Sequence, residues 1–427
     1  MRFLILTQYF PPEVGAPQVR LANVIEQLLA MGHEAEVITA LPNYPVGKIF
    51  PAYRHKFYCR ESWKGIPVHR FWLYASTGSG ARRLLNYFSF ALTCLFGFFC
   101  ARRPDVMFVE SPPLFLCIPA RLLSLLWRRP FIFNVADLWP DSVQEMELMR
   151  EGVLLRLAGF LELWSYRKAA YVTAVTEGIR TTLVETKQVP PEKVLFLPNG
   201  ADTGMFNWVP EEAELAQELG LQGQRVILYA GTLGLFQGLD VAIEAAELLH
   251  SEVPDFTFVL VGSGSDRSRL EQLAKSKGLN NVRFLDPQPP QMIARLFSIA
   301  FAGFASLKNL PLFEAARPSK LITIMASGKP VLYSGAGEGA RLVLEARAGV
   351  VTAPESVSAL IEGLRTLLND PSLAQEFGRN GRRFVEKNLT WRILVHNWLK
   401  DLNSRGQPLA QATQQDECFS SGSSVEP

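Results

Sequence analysis

The chain of 427 residues is long enough for about two domains, at roughly 100–200 residues per domain. Its net charge of +2 argues against a nucleic-acid binder held by bulk electrostatics. Five cysteines without a C-x-x-C spacing favour free thiols in a reducing compartment over disulfides or zinc. The N-terminus begins with a strand-like run rather than a signal-peptide pattern, so we expect a cytoplasmic protein.

The first half of the chain alternates short apolar runs with helical spacing. The run 2–7 leads into a Pro/Gly-rich loop that contains Gly15, then into helical spacing over 20–32 and a strand over 34–39. Further strands are predicted at 68–73, 106–110, 131–136, 171–174 and 194–197. This opening is typical of an open α/β sheet, which binds ligands at the carboxyl ends of its strands. The dinucleotide fingerprint G-x-G-x-x-G is absent from the first loop.

The second half repeats the pattern. Strands are predicted at 226–230, 256–261, 282–285, 299–304, 330–333 and 349–352, and the first two end in the glycine loops 231–238 and 262–264. We therefore predict an α/β protein with two Rossmann-like, doubly wound domains that face each other across a cleft. The predicted segments are the domains 1–200 and 201–385, a C-terminal helix 386–403 and a disordered tail 404–427.

The stretch 310–330, LPLFEAARPSKLITIMASGKP, predicts a loop that opens a helix at Pro318-Ser319-Lys320 and ends it at Gly328. Ser319 is placed to cap free N–H groups. The start of a helix favours negative charge, and Lys320 adds a positive charge suited to phosphate. The stretch predicts an anion site, and an ordinary capped surface helix is the alternative.

Two apolar segments of the first half, 84–100 and 114–127, are flanked by pairs of arginines. Neither reaches the roughly 20 apolar residues that a transmembrane helix needs. Apolar helices with basic ends suit a lipid interface, and burial of both helices against the first sheet is the alternative. We expect at least the first to contact the inner face of the membrane peripherally.

Several short motifs follow one another in a fixed order along residues 1–400. They are Tyr9-Phe10-Pro11-Pro12-Glu13 with Gly15 and Arg20, Leu114-Phe115 after Ser111-Pro112-Pro113, Asp137-Leu138-Trp139-Pro140-Asp141-Ser142, Pro198-Asn199-Gly200-Ala201-Asp202 with Phe206, Tyr229-Ala230-Gly231 through Gln237-Gly238-Leu239, Gly262-Ser263-Gly264, Pro318-Ser319-Lys320 and Met325-Ala326-Ser327-Gly328-Lys329-Pro330. In this order the chain resembles the retaining glycosyltransferase family 4 (glycosyl transferases group 1), which has the GT-B fold. Within that family it is similar to the WbuB-like and colanic-acid-type sugar transferases of bacterial surface polysaccharide assembly.

The resemblance implies a retaining glycosyltransferase. Its second domain would bind a nucleotide-diphosphate sugar, and its first domain a saccharide or lipid-linked acceptor. The donor-binding residues implied are Gly15, Gly231, Gly234, Gln237, Gly262, Ser319, Lys320, Thr323 and Glu338. Positive groups there would stabilise the leaving nucleoside diphosphate, so no metal or cofactor is expected. The absence of an Asp-x-Asp motif agrees with that expectation.

The chain departs from the family pattern at two positions. The family has a Glu-x7-Glu pair, whose members would fall here at Ala315 and Thr323. Glu314 lies one residue before the first position, and Thr323 offers a hydrogen bond without charge. Gln237 stands where many members have a phosphate-binding lysine, and the WbuB-like subgroup often has Gln there too.

Carboxylates at predicted strand ends are the candidates for catalysis and acceptor binding. Asp137 could orient an acceptor hydroxyl or take its proton, and a cap of the turn that follows is the alternative. Glu314 could contact the sugar of the donor. Glu13, Arg20 and Glu110 are placed at the acceptor side of the cleft, where Arg20 could contact phosphate or pair with a surface carboxylate.

Two other functions remain open. A catalytically degenerate partner subunit with the same fold is suggested by Thr323. A GT-B-folded epimerase of nucleotide sugars is disfavoured by the apolar helices. The identities of the sugar, the nucleotide, the acceptor and the linkage do not follow from the sequence.

Overall fold

The computed structural model describes residues 1–44, 46–76, 81–139, 153–207 and 212–405. The chain divides into two compact units, Met1–Pro198 with Leu394–Pro427, and Asn199–Ile393. From Leu394 onwards, the C-terminal helix therefore belongs to the first unit. Of the tail predicted from residue 404, residues 406–427 lie outside the described residues.

The first unit is built on an eight-stranded sheet. Its strands are Arg2–Leu6 (β1), Glu34–Ala40 (β2), Tyr58–Trp63 (β3), Ile66–Phe71 (β4), Val106–Ser111 (β5), Phe131–Val135 (β6), Tyr171–Ala174 (β7) and Val194–Phe196 (β8). Its helices are Ala16–Ala30 (α1), Ala81–Thr93 (α2), Gly97–Cys100 (α3), Cys117–Trp127 (α4), Val153–Lys168 (α5) and Glu177–Thr181 (α6). The strand order is β3-β4-β2-β1-β5-β6-β7-β8, and every pair is parallel except β3 with β4.

The second unit has a six-stranded, all-parallel sheet. Its strands are Arg225–Ala230 (β9), Phe256–Val261 (β10), Val282–Leu285 (β11), Ala300–Ser306 (β12), Val331–Ser334 (β13) and Gly349–Thr352 (β14), in the order β11-β10-β9-β12-β13-β14. Its helices are Ala213–Glu218 (α7), Asp240–Leu249 (α8), Arg267–Ser276 (α9), Pro290–Ile299 (α10), Ser319–Ala326 (α11), Gly337–Glu345 (α12), Val357–Asn369 (α13) and Pro371–Asn388 (α14). Trp391–Ser404 (α15) follows and runs on into the first unit. Both sheets therefore have the doubly wound topology that the sequence predicts.

The predicted strands agree with the observed strands to within two residues. Parallel strands are covered on both faces and so appear as largely apolar runs, as β5 and β10 do with every residue buried. The prediction missed β3, an edge strand whose side chains are all at least partly exposed. It also started α1 four residues late, because Pro17 opens the helix ahead of the first apolar repeat.

Trp398 ties the C-terminal helix to the first sheet. Its ring centre lies 6.1 Å from that of Phe3 and 5.6 Å from that of Phe108, and its Nε1 donates to Thr173 Oγ1 at 3.3 Å. The side chain is almost completely buried. These contacts explain why the C-terminal helix, from Leu394 onwards, belongs to the first unit.

Helix α2 continues through a 3-10 turn into α3 and exposes apolar side chains at helical spacing. We call Leu85, Phe88, Leu92, Phe96 and Phe99 the apolar stripe; their exposed fractions range from 42% to 80%. The opposite side is buried in the core of the first unit, as fully buried Phe90 and Cys94 show.

The segment Arg82–Cys100 bears on the membrane prediction. With 19 residues, this segment is long and apolar enough to cross a membrane by length and composition alone. This differs from the prediction that neither apolar segment reaches the length of a transmembrane helix. One side of the segment packs against protein, so this property does not make it a membrane span. The free thiols of Cys94 and Cys117 are buried, and that of Cys100 is exposed.

Candidate active site

The carboxyl ends of β9 and β10 carry two glycine loops in direct backbone contact. Gly231 has φ 151° and Gly262 has φ 146°, both in the range that favours glycine. A Cβ on Gly262 would lie 1.9 Å from the Gly231 carbonyl oxygen, and a Cβ on Gly231 would lie 2.3 Å from Lys320 Cε. Gly234 differs, because its φ is −107° and the nearest atom to its Cβ position would be 3.6 Å away. Backbone packing requires glycine at Gly262 and also at Gly264, whose Cβ would lie 2.1 Å from the Leu233 carbonyl oxygen, and the φ of Gly231 favours glycine there.

Lys320 lies in the first turn of α11 and reaches the Gly231 loop. Its Nζ donates to Gln237 Oε1 at 3.2 Å and lies 5.3 Å from the centre of the Tyr229 ring. The Tyr229 hydroxyl donates to the Thr232 carbonyl oxygen at 2.6 Å and contacts Gln237 Oε1 at 3.2 Å. Burial lowers the pKa of the Lys320 ammonium to about 8. Within the described ranges, no carboxylate forms an ion pair with Lys320, so its charge is left for an anion.

The start of α11 differs from the prediction in its cap. Pro318, with φ −58°, is the capping residue, and no side chain accepts a hydrogen bond there. Ser319 is therefore the first helical residue rather than a side-chain cap. Its carbonyl oxygen accepts a hydrogen bond from Thr323 Oγ1 at 3.2 Å. The predicted donor contacts of Ser319 and Thr323 stay predictions; Ser319 adjoins Lys320, and Thr323 lies one turn further along α11.

Glu314 packs against Gly337, the residue before Glu338, at the start of α12. A Cβ on Gly337, whose φ is 67°, would lie 2.5 Å from Glu314 Cα, so the two backbones are in close contact. Buried Glu338 has its Oε1 3.7 Å from Nε of Arg317, a residue that the motif analysis left out. The buried Tyr333 hydroxyl lies under the same turn, and burial together with the Glu314 charge raises its pKa.

In the first unit, the carboxylate of Glu13 joins two loops. Its Oε1 accepts from the backbone N–H groups of Asn43 at 2.7 Å and Tyr44 at 2.8 Å, and its Oε2 from that of Phe10 at 3.3 Å. Burial raises its pKa, against the opposing effect of these hydrogen bonds. Gly15 precedes α1 with an extended φ of 177°, so its backbone does not require glycine.

Arg20 and Glu110, predicted at the acceptor side of a cleft, are buried within the first unit. Arg20 Nη2 donates to Asn134 Oδ1 at 3.1 Å and to the Leu197 carbonyl oxygen at 3.0 Å. Asn134 Nδ2 in turn donates to Glu110 Oε2 at 2.9 Å. Burial lowers the pKa of Arg20 and raises that of Glu110. Arg20 is thus buried and hydrogen-bonded inside the first unit, which is not the surface position that one alternative had assumed.

Asp137 comes two residues after β6 and is half-buried. Its carbonyl oxygen accepts a hydrogen bond from the N–H of Trp139 at 3.1 Å. The motif residues 140–142 lie outside the described residues. Its catalytic role stays a prediction, as does that of Glu314.

The structure thus brings three predicted donor residues, Gly231, Gln237 and Lys320, into contact, with Gly262 packed behind them. It adds Tyr229, a residue of the quoted motif whose ring and hydroxyl hold this cluster. It also adds Arg317 and Tyr333 near Glu314 and Glu338. No spacing in the sequence indicated Arg317 and Tyr333, because they act through Glu338 and Glu314 of other segments.

Both halves of the chain match models of known families. Residues 15–200 match the model described as a glycosyl transferase 4-like domain, and residues 211–384 match that of glycosyl transferases group 1. WcaI of Escherichia coli K12, which is named as a colanic acid biosynthesis glycosyl transferase, is 30% identical over 417 residues. That match covers 94% of this chain and 100% of WcaI.

Solved structures resemble the whole chain at low sequence identity. Sucrose-phosphate synthase from Thermosynechococcus elongatus has a TM-score of 0.75 at 17% identity, covering 94% of this chain and 98% of the synthase. HepE from Anabaena, solved in complex with UDP-glucose, has a TM-score of 0.71 at 20% identity and covers 95% of this chain and 100% of HepE. At these identities the likeness establishes a common fold.

Proposed function

Because the chain belongs to the group 1 glycosyltransferases and has their GT-B fold, we propose that it moves a sugar from a nucleotide-diphosphate donor to a lipid-linked glycan. We propose bacterial surface polysaccharide biosynthesis as its setting, on the strength of the identity with WcaI. The transfer is proposed to retain the anomeric configuration, a property taken from the family resemblance.

The observation that carries the donor proposal is the Lys320 site. A cation beside two glycine loops, at the start of a helix with unpaired N–H groups, suits a diphosphate. A half-buried ammonium without a carboxylate partner in the described residues is costly unless a ligand supplies negative charge. The donor diphosphate is the anion that the proposed reaction provides.

The same site fits the chemistry of the transfer. As the bond between the anomeric carbon and the diphosphate oxygen breaks, its electron pair passes to that oxygen, and Lys320 stabilises the resulting charge. The acceptor hydroxyl forms the new bond at the anomeric carbon and gives up its proton. We propose Asp137 as the group that orients this hydroxyl or receives the proton, and Glu314 as a contact of the donor sugar. With Lys320 in this role, the transfer is expected to need no metal or cofactor.

The lipid-linked acceptor is supported by the apolar stripe of α2 and α3. Monomeric soluble proteins rarely expose a large contiguous apolar patch without a partner. Arg82 and Arg83 precede the stripe, and Arg102 and Arg103 follow it, all exposed. Apolar side chains with basic ends suit the surface of an anionic bilayer. We therefore propose that the enzyme associates peripherally with the inner face of the membrane.

A degenerate partner subunit that binds donor but does not catalyse is the second candidate. Its specific support is Thr323, whose hydroxyl donates to the Ser319 carbonyl oxygen where the family has a charged carboxylate. The Lys320 cluster argues against loss of donor binding. An epimerase of nucleotide sugars would not account for the exposed apolar stripe.

A binding titration tests the donor proposal. Calorimetry with UDP, GDP and their common sugar conjugates is carried out on the wild type, on Lys320→Ala and on Lys275→Ala, an exposed lysine of α9 that serves as control. We expect saturable binding of one nucleotide class, weakened about 10- to 100-fold in Lys320→Ala and unchanged in Lys275→Ala. Binding that is equally tight in Lys320→Ala would refute the role of this lysine.

A further inference from the structure

A cluster of tyrosines and one arginine lies where the carboxyl edge of the first sheet meets α2. Tyr9 follows β1 and Tyr44 follows β2, and their ring centres are 5.9 Å apart. Arg83 and Tyr87 lie one turn apart on α2, and Arg83 Nε donates to the Tyr87 hydroxyl at 2.7 Å. Tyr87 also hydrogen-bonds with Tyr9. We call Tyr9, Tyr44, Arg83 and Tyr87 the tyrosine–arginine cluster.

Buried hydrogen bonds hold α2 at this edge of the sheet. Gln8 Nε2, in the loop after β1, donates to Asn86 Oδ1 at 2.6 Å. Asn86 Nδ2 donates to the Tyr74 carbonyl oxygen, beyond the end of β4, at 2.8 Å. Asn86 is the neighbour of Tyr87, so the same bonds fix the position of the cluster. The cluster is therefore built into the ligand-binding edge of an α/β sheet.

The charge of Arg83 is not balanced by a carboxylate in the part of the chain that the structure describes. Its hydrogen bond goes to the Tyr87 hydroxyl, and its carbon Cζ lies 5.7 Å from the centre of that ring. The carboxylate of Glu13 lies near Tyr9 but accepts three backbone N–H groups. An exposed arginine without a carboxylate partner in the described residues is available to an anion.

The other side of the same helix carries the apolar stripe. At about 100° per residue, positions 83 and 87 lie across the helix from 85, 88 and 92. Tyr87 is 8% exposed, whereas Leu92 is 68% exposed. One helix thus presents an arginine with tyrosines toward the sheet edge and a lipid-like surface on its other side. A ligand that combines phosphate with a long apolar chain matches this arrangement.

We propose that the tyrosine–arginine cluster binds the phosphate groups of the lipid diphosphate that carries the acceptor glycan, with Arg83 as the principal contact. The Tyr9 and Tyr87 hydroxyls supply further hydrogen bonds to the phosphate oxygens. The apolar chain of this lipid leaves toward the membrane along α2. This inference rests on the proposed lipid-linked acceptor and adds the residues that recognise its anionic end.

Farnesyl diphosphate is a water-soluble probe of this site. Its binding is measured by calorimetry on the full chain in three forms: the wild type, Arg83→Ala and, as a control, Arg60→Ala at an exposed arginine of β3. We expect Arg83→Ala to weaken binding about 10- to 100-fold, the range for loss of a charged hydrogen bond, and Arg60→Ala to weaken it less than about threefold. Farnesol and inorganic pyrophosphate should each bind at least about tenfold more weakly than farnesyl diphosphate.

Two results would overturn the proposal. One is equal affinity of the wild type and Arg83→Ala for farnesyl diphosphate. The other is affinity that survives in Arg83→Ala and disappears in Lys320→Ala, which would place the probe in the donor site. Nucleotide-sugar titrations of the same variants separate this proposal from the proposed function, because Arg83→Ala should leave donor affinity within about twofold. Absence of donor binding in the wild type would count against the transferase proposal alone.

Discussion

Raising the pH should weaken donor binding through Lys320. The free protein holds the pKa of this ammonium at about 8, below the usual 10.5, because burial disfavours the charge. A bound diphosphate favours the protonated form, so its affinity is nearly complete at pH 7 and declines as the pH rises through 8. The protonated fraction falls from about 0.9 at pH 7 to about 0.09 at pH 9, which predicts about tenfold weaker binding at pH 9.

Calorimetry at pH 7, 8 and 9 measures this dependence with whichever nucleotide sugar binds. At pH 8, buffers of different ionisation enthalpy should also reveal an uptake of about half a proton on binding. Lys320→Ala should bind about 10- to 100-fold more weakly at pH 7, with an affinity that no longer falls between pH 7 and 9. Lys275→Ala should keep the dependence of the wild type.

The mutant comparison also accounts for ionisation of the nucleotide itself. Any loss of affinity that arises in the ligand would appear equally in the wild type and in Lys320→Ala. A wild-type affinity that is constant from pH 7 to 9 would refute the reasoning. So would the same pH dependence in Lys320→Ala.

Three further predictions use matched or conservative variants. Gly231→Ala should weaken donor binding at least about tenfold, because the added Cβ would lie 2.3 Å from Lys320 Cε and force the lysine side chain to move. Gly234→Ala should change donor affinity less than about twofold, and equal losses in the two variants would refute the packing argument. Leu92→Asp, at a side chain 68% exposed, should reduce cosedimentation with vesicles that contain phosphatidylglycerol about fivefold or more. The control Leu248→Asp, at a side chain of α8 that is 58% exposed, should leave cosedimentation unchanged. Equal cosedimentation of the two variants would argue against the stripe as the membrane contact. Asp137→Asn should retain the turn and the donor affinity but lower turnover about 10²- to 10⁴-fold in assays of nucleoside diphosphate release. Full turnover in this variant would exclude a catalytic role and leave Asp137 with a structural role as a turn cap.

The strands were predictable because burial on both faces leaves a direct trace in the sequence. Every residue of β10 is apolar or threonine, and all six are buried. The edge strand β3 left no such trace, since YCRESW alternates exposed with half-buried side chains. The start of α1 was missed because a proline in its first turn carries no hydrophobic periodicity.

The site was predictable in its components but not in its contacts. The motifs supplied Gly231, Gln237 and Lys320 separately, and the fold brings them together because β9 ends beside the start of α11. Motif position could not show that Arg20 is buried and hydrogen-bonded inside the first unit. It also gave no sign that Glu338 lies beside Arg317.

The central claim is transfer of a sugar from a nucleotide-diphosphate donor, and release of nucleoside diphosphate tests it most directly. Purified wild type and Lys320→Ala are incubated with each common nucleotide sugar, with and without a bacterial lipid extract that supplies acceptor. We predict release by the wild type from one donor, strongly stimulated by the extract, and at least about tenfold less release by Lys320→Ala. Folded wild type that binds a nucleotide sugar yet releases no nucleoside diphosphate with the extract present would contradict the claim and favour the non-catalytic partner or the epimerase.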